Sequence, residues 1–165
     1  MVREEVFDFS AGRAFENTPK YITDGAVDAM YRGETHQTMA RGTTQFRQAC
    51  ANKLSRENDI IADPGSEIIA TMGTKQGLTI SLLALLNAGD HIVSVGSVFG
   101  STHTLFTKYF PKWNITSSYF DINKPETIEN FIQPNTKIIF AESPTNPAVD
   151  ILDLEFLGKI VKKHN

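Results

Sequence analysis

The sequence has a single cysteine, Cys50, in 165 residues, so no disulfide can form within the chain. It also has no apolar run near the roughly 18 residues that a membrane-spanning helix needs. The longest run, Leu78 to Leu86, is interrupted by Thr79 and Ser81. The N-terminus, Met1 to Glu5, lacks the apolar segment of a signal peptide. These absences predict a reducing, cytoplasmic setting and no membrane partner.

Positive charge is not in surplus either. Lys and Arg number 16 and Asp and Glu number 19, which gives a formal net charge of −3 at pH 7. Nucleic-acid-binding proteins usually carry a basic surplus, so no nucleic-acid partner is expected. The four histidines share no metal-ligand spacing, and no metal site is predicted. The hydrophobic share of 41% and the charged share of 21% indicate a folded globular protein.

The sequence does contain, after residue 66, a regular alternation of short apolar runs and amphipathic segments. The apolar runs predict strands and the amphipathic segments predict helices. The predicted strands are Glu67–Thr71, His91–Val95, Ile115–Phe120 and Lys137–Ala141, and the predicted helices are Gln76–Asn87, Thr102–Phe110, Pro125–Gln133 and Asp153–His164. This order predicts an α/β protein whose mostly parallel sheet lies between two helical layers, a three-layer αβα architecture.

The first 60 residues show an extended or irregular lead-in, Val6 to Pro19, and then helical patterns. Thr18–Pro19 predicts a helix start, with Thr18 as the N-cap, and Gly33 predicts the end of that helix. In a second helix Phe46, Cys50 and Leu54 form one apolar stripe. Cys50 is therefore expected in the core.

Ligands of a parallel α/β sheet bind at the carboxyl ends of the strands, so the segments there are the candidate site. Gly73, Thr74 and Lys75 follow a predicted strand and open a helix, where backbone N–H groups and the helix dipole attract an anion. Phe99 offers a flat face to a ring, and Asn146 offers an amide from a stiff loop between two prolines. Each has a plainer interpretation: a tight turn, a core or hinge aromatic, and a rigid turn.

Three segments after residue 97 carry a more specific pattern: Val98–Phe106, Pro134–Lys137 and Phe140–Pro147. Together they resemble the Cys/Met-metabolism (transsulfuration) group of fold-type-I pyridoxal 5′-phosphate (PLP) enzymes. The O-acetyl- and O-succinylhomoserine sulfhydrylases are the most similar subgroup, and the cystathionine and methionine γ-lyases are near neighbours. The resemblance implies part of a PLP-dependent enzyme of methionine biosynthesis, an O-acyl-homoserine sulfhydrylase or a related γ-synthase or γ-lyase.

Earlier segments are similar to a different group of the same fold. Phe9–Gly12, Gly42–Ala49, Lys53–Leu54 and Gly73–Gln76 resemble class I aminotransferases, and the two likenesses meet near Leu82–Ser97. Three interpretations therefore stay open: a fragment of a sulfhydrylase-type enzyme, a fragment of a class I aminotransferase, and a non-catalytic α/β scaffold or chimera.

The resemblance implies a role for each matching position. The backbone of Gly73–Lys75 holds the phosphate of PLP, and the Lys75 side chain points away from the site. Phe99 stacks on the pyridine ring, and Asn146 contacts the ring oxygen or the substrate carboxylate. Gly12 matches a substrate-side glycine of the aminotransferases.

The resemblance also implies a domain organisation. Residues 61–165 are the N-terminal part of the PLP-binding large domain, and residues 1–60 are a helical segment before it. The Schiff-base lysine, the aspartate that pairs with the pyridine nitrogen, and the small domain belong beyond Asn165. The chain is therefore expected to have no catalytic residue of its own and to be inactive alone. The parent enzyme is expected to act on an amino acid as a homo-oligomer. Glu142 also matches a position of the family motif, with a structural role as its plainer interpretation.

Overall fold

A computed structural model describes residues 16–164, which divide into two compact units at the boundary between Thr43 and Thr44. The helices are α1 (Lys20–Tyr31), α2 (Thr44–Asn58), α3 (Thr74–Leu85), α4 (Gly100–Thr104) and α5 (Leu154–His164), and the strands are β1 (His91–Val95), β2 (Thr116–Phe120) and β3 (Thr136–Phe140). Within residues 16–164 none of the helices has the length and apolar character needed to cross a bilayer. The domain boundary expected after residue 60 stays a prediction.

The first unit contains α1 among its described residues. Pro19 is the N-cap, and its carbonyl accepts the N–H of Ile22 at 2.9 Å. Helix α1 therefore begins one residue later than the Thr18 cap predicted. Gly33, with a φ of +78°, follows the end of the helix as expected, because glycine enters the left-handed region without steric cost.

The second unit is built around a parallel sheet with the strand order β2-β1-β3. Strand β1 is central, and all five of its residues are buried. Because side chains alternate between the two faces of a sheet, Val93 and Val95 point to one face and Ile92 points to the other. The predicted bounds of β1 are confirmed, and β2 and β3 each lie within one residue of the prediction.

Helical segments cover both faces of this sheet. On one face α5 and a 3-10 helix, Pro125–Phe131, pack against Val93 and Val95. On the other face α3 and the segment after α4 pack against Ile92. The three-layer αβα architecture with a parallel sheet is confirmed.

Two predicted elements of the second unit take another form. Residues 67–71 are not a strand, since the described sheet has β2 and β3 at its edges and this segment pairs with neither. An apolar run predicts burial, but it does not supply a neighbouring strand. The helix predicted over residues 125–133 is the 3-10 helix Pro125–Phe131.

The helix predicted over residues 102–110 is composite. α4 continues as a π-helical turn, Leu105–Tyr109, and then as a 3-10 helix, Phe110–Trp113. Pro111 has no N–H and cannot continue a helical hydrogen-bond ladder, so the second change, from π-helical to 3-10 geometry, occurs next to it.

The buried face of α2 also differs from the predicted stripe. Phe46 is 55% exposed and Cys50 is only half-buried, so the core position expected for Cys50 is wrong. Arg47 and Ala51 are buried instead. The Arg47 guanidinium donates a hydrogen bond to the carbonyl of Pro64, and such bonds make a buried charge tolerable.

Candidate functional site

Strands β1 and β3 are neighbours, but the chain leaves them toward opposite faces of the sheet. After β1 it enters α4 and the segment on the Ile92 face, and after β3 it runs to α5 on the opposite face. The two departing segments leave a crevice at the carboxyl ends of the strands, the usual ligand position in such sheets. A cavity of about 1110 Å³ lies there, lined by the starts of α3 and α4 and by the loop after β3.

One corner of the cavity, formed by Gly73, Thr74 and Lys75, has the backbone geometry that favours an anion. Gly73, the residue before α3, has a φ of +79°, and no atom lies within 4 Å of the position that a Cβ would take. Thr74 and Lys75 begin α3, and helix geometry leaves their N–H groups without an intrahelical acceptor. The N–H of Gly73 is engaged, because it donates to the Thr71 carbonyl at 2.9 Å. This anion corner therefore offers two backbone donors and the positive end of the α3 dipole.

Side chains hold the anion corner in shape. Gln76 Oε1 accepts the N–H of Met72 at 2.6 Å, which ties the incoming chain to the first turn of α3. The Thr71 hydroxyl donates to the carbonyl of Gly73 at 3.3 Å. Both bonds lie within the chain, so the shape of the corner needs no contact from a ligand.

Phe99, the residue before α4, is the aromatic wall of the cavity. Its side chain is 42% exposed, whereas Phe106 and Phe110 are fully buried in the core. Its carbonyl accepts the N–H groups of Thr102 at 2.8 Å and His103 at 3.0 Å. An exposed aromatic face beside an anion corner suits a planar ring that carries a negative group.

The Lys75 side chain stays in the site. Its Nζ atom lies 5.9 Å from the centroid of the Phe99 ring, and the residue lines the cavity. The expectation that this side chain leaves the site is therefore wrong. The attraction between an ammonium group and an aromatic face accounts for its place.

Asn146 lines the cavity from the loop after β3, and its neighbour Thr145 anchors that loop. Thr145 is 3% exposed, and its hydroxyl accepts the N–H of Asp150 at 2.9 Å. The Thr145 N–H donates to the Asp150 carbonyl, also at 2.9 Å. Ser143 Oγ accepts the N–H of Leu152 at 3.0 Å. The loop is thus closed on itself with Asn146 at the cavity.

The structure brings five of the predicted site residues to one cavity. They are Gly73, Thr74, Lys75, Phe99 and Asn146. The sixth, Gly12, lies outside the described residues. The roles assigned to these positions stay predictions.

Sequence reasoning missed part of the cavity wall. Ser101, Leu105 and Tyr109 line the cavity and recur every fourth residue, the spacing of one helix face. That spacing is the signal that could have found them. Glu142, expected to be structural, also lines the cavity, and its Oε2 atom accepts the Phe99 N–H at 3.2 Å.

Binding groups of this kind, at this point of a parallel sheet, are what a protein needs to hold a cofactor with both a phosphate and a planar ring. A sequence model of the Cys/Met metabolism PLP-dependent enzymes matches residues 25–165. The chain belongs to this family, whose cofactor is pyridoxal 5′-phosphate.

Individual relatives fall into two groups. The O-succinylhomoserine sulfhydrylase of Pseudomonas aeruginosa is 33% identical over 152 residues, which cover 90% of this chain and 36% of that protein. The aspartate/prephenate aminotransferase of Nitrosomonas europaea is 30% identical, over 98% of this chain and 42% of that protein. The crystal structure of an aromatic aminotransferase from Pyrococcus horikoshii OT3 matches with a TM-score of 0.79 at 26% identity, covering 93% of this chain and 43% of that one.

These matches confirm the twofold likeness, to transsulfuration enzymes and to aminotransferases, that the segments predict. The chain spans less than half the length of each of these three relatives.

Proposed function

We propose that this chain supplies the cofactor-binding part of a PLP-dependent enzyme of sulfur amino-acid metabolism. The complete enzyme is an O-acyl-homoserine sulfhydrylase or a related γ-synthase or γ-lyase. The observation that carries the proposal is the open cradle at Gly73, with its positive φ and empty Cβ position, beside the exposed ring of Phe99. The family match supports the cofactor, and the sulfhydrylase relative supports the activity.

Four residues of the cavity hold the cofactor or the substrate in this proposal. The N–H groups of Thr74 and Lys75 bind the phosphate, and the Lys75 ammonium adds positive charge near it. The ring of Phe99 stacks on the pyridine ring and shields it from water, and the Asn146 amide orients a ring oxygen or a substrate carboxylate. When bound, PLP supplies an electron sink for carbanion chemistry on amino acids. The parent's substrate is accordingly an amino acid.

A non-reactive analogue tests the proposal. The probe is 4′-deoxypyridoxine 5′-phosphate, which keeps the ring and the phosphate but has no aldehyde that a surface lysine could attack. We expect saturable binding by calorimetry, at least about tenfold tighter than for 4′-deoxypyridoxine or inorganic phosphate, because only the probe uses both the ring wall and the anion corner. Phe99→Ala should weaken the probe and leave inorganic phosphate unchanged. Tyr21→Ala, at an aromatic that is 76% exposed in the other unit, is the matched control.

Absence of saturable binding up to about 1 mM probe, an affinity of only about −4 kcal/mol, would contradict the proposal. It would favour a non-catalytic α/β scaffold instead.

The aminotransferase relative favours a second candidate, an amino-transfer activity, because it covers 98% of this chain. Product analysis of the complete enzyme separates the two. With an O-acyl-homoserine and sulfide, we expect release of the acyl group as a carboxylate and a new carbon–sulfur bond. Formation of a 2-oxo acid from the amino donor, without acyl release, would favour the aminotransferase.

A further inference from the structure

Glu142 reaches across the crevice between the segments that follow β1 and β3. Its Oε2 atom accepts the backbone N–H of Phe99 at 3.2 Å, although the two residues are 43 positions apart in the chain. Glu142 is half-buried and lines the same cavity as Phe99. A side chain from one wall of the crevice therefore holds the backbone of the other wall.

This bond completes the fixation of Phe99. On its carbonyl side, Phe99 is already held by the N–H groups of Thr102 and His103. On its amide side, Phe99 precedes α4 as the N-cap and has no helical carbonyl to bond with, so the Glu142 carboxylate takes that place. The direction of the Phe99 Cα–Cβ bond, from which the ring projects, is set from both sides.

We propose that Glu142 is a positioning residue for the cofactor ring, acting through Phe99. This inference rests on the proposed function, because the ring on which Phe99 stacks belongs to the cofactor of that function. Glu142 fixes the Phe99 backbone and so presents the aromatic face in a stacking position before the ligand arrives. The gain is pre-organisation, since less conformational freedom is lost on binding.

Amide hydrogen exchange of the ligand-free chain tests the bond itself. In Glu142→Ala, exchange at the Phe99 N–H should become at least about fivefold faster, because an N–H without an acceptor is open to water. Glu142→Gln, whose amide oxygen is an acceptor at the same reach, should restore most of the protection. The N–H of Val93 in the central strand should exchange as in the wild type, which shows that the fold is intact. Unchanged exchange at Phe99 in Glu142→Ala overturns the proposal whether or not the chain binds a ligand.

Binding then tests the route through Phe99. Glu142→Ala should weaken 4′-deoxypyridoxine 5′-phosphate by roughly three- to tenfold, the range of a single hydrogen bond, and leave inorganic phosphate unchanged. In the Phe99→Ala background the same substitution should have no further effect, because the ring it positions is gone. Glu155→Ala is the control: it removes the same charge from a side chain that is 81% exposed and paired with Lys159 at 2.9 Å.

The outcomes separate the two proposals. If the wild type does not bind the probe, the proposed function fails, and the role of Glu142 in cofactor binding fails with it even where the exchange result holds. If the wild type binds and Glu142→Ala weakens the probe and inorganic phosphate equally, or weakens the probe as much without Phe99 as with it, the function stands and the positioning role is overturned.

Discussion

Gly73 determines the shape of the anion corner at the scale of a single residue. Its φ of +79° turns the chain into α3, and the space beside it is open. A side chain there meets no steric neighbour, so any effect of substitution comes from the backbone alone. With a ψ of 167° beside this φ, Gly73 lies in a region that is essentially restricted to glycine, and a residue with a Cβ there costs about 1–3 kcal/mol.

Gly73→Ala should therefore lower the free energy of unfolding by about 1–3 kcal/mol and weaken inorganic phosphate binding, because the turn relaxes toward negative φ. Gly158→Ala is the matched control, since Gly158 lies inside α5 with no atom within 4 Å of its Cβ position. In that control the free energy of unfolding should rise by about 0.5–1 kcal/mol, because alanine favours a helix interior more than glycine does. Urea denaturation measures both. A Gly73→Ala protein as stable as the control would show that the positive φ is not required.

At this scale the sequence predicts residues whose role depends on local position. Gly73 and Phe99 could be chosen because each stands between an apolar run and a helical pattern. The orientation of Lys75 could not be predicted, because it depends on the ring of Phe99, which the fold brings close. The hydrogen bond of Glu142 could not be predicted for the same reason, since it joins two loops 43 positions apart.

His91 connects the strands at the scale of the sheet. It is fully buried at the start of β1, and its ring nitrogens lie 2.8 Å from Thr136 Oγ1 of β3 and 3.0 Å from Ser118 Oγ of β2. The side-chain amide of Gln133 lies 3.3 Å from the same ring. All three partners are uncharged. Burial lowers the pKa of His91 below its ordinary value of 6.5.

Acid should therefore destabilise the sheet through His91. The unfolded chain takes up the proton at a higher pH than the folded chain. The stability that the neutral His91 ring contributes is therefore fully present above the unfolded pKa. It is lost as the pH falls from 6.5 toward the lowered pKa of the folded state. Urea denaturation between pH 7.5 and pH 5 should show this loss in the wild type and a smaller one in His91→Gln. His36→Gln, at an exposed position, should keep the wild-type slope. Parallel slopes in all three proteins would contradict the prediction.

The loop after β3 depends on Thr145. Thr145→Val keeps the shape of the side chain but leaves the N–H of Asp150 without its 2.9 Å acceptor. We expect a loss of about 1–2 kcal/mol in the free energy of unfolding, and weaker probe binding because Asn146 is no longer held at the cavity. Thr107→Val is the control, since that hydroxyl bonds only to the exposed backbone of its own helix. Equal effects of the two substitutions in urea denaturation and calorimetry would contradict the anchoring role.

The bounds of an element were predicted well where they depend on burial. The type of helix was predicted poorly, because it depends on the hydrogen-bond pattern. β1 is a continuous buried run, and its bounds follow from composition alone. The change from α4 to π-helical and 3-10 geometry leaves the apolar spacing almost unaltered, so periodicity does not reveal it. Residues 67–71 have the composition of a strand, but pairing depends on what lies beside them.

The cavity belongs to the scale of the whole second unit, because no single element contains it. α3, α4 and the loop after β3 each contribute one wall. The alternation of strands and helices predicts such a crevice at the carboxyl edge, but not which side chains face it. Local unfolding of any one wall therefore removes the site.

Ligand binding should consequently stabilise the unit as a whole. With 4′-deoxypyridoxine 5′-phosphate at about 100 times its dissociation constant, we expect the free energy of unfolding to rise by about 2.7 kcal/mol. Urea denaturation with and without the probe measures the change. At the same probe concentration the free energy of unfolding of Phe99→Ala should rise less, because this variant binds the probe more weakly. An unchanged urea midpoint in the wild type would show that the probe does not prefer the folded chain.

The hydrogen bond between Glu142 and Phe99 also has a consequence for synthesis on the ribosome. A nascent chain that has emerged only as far as β2 contains the anion corner and the aromatic ring but lacks the carboxylate that closes the crevice. The binding pocket is complete only once β3 and its loop have emerged and β3 has docked beside β1. A ligand that needs all three walls of this cavity can therefore be held only by a chain that has already placed its third strand.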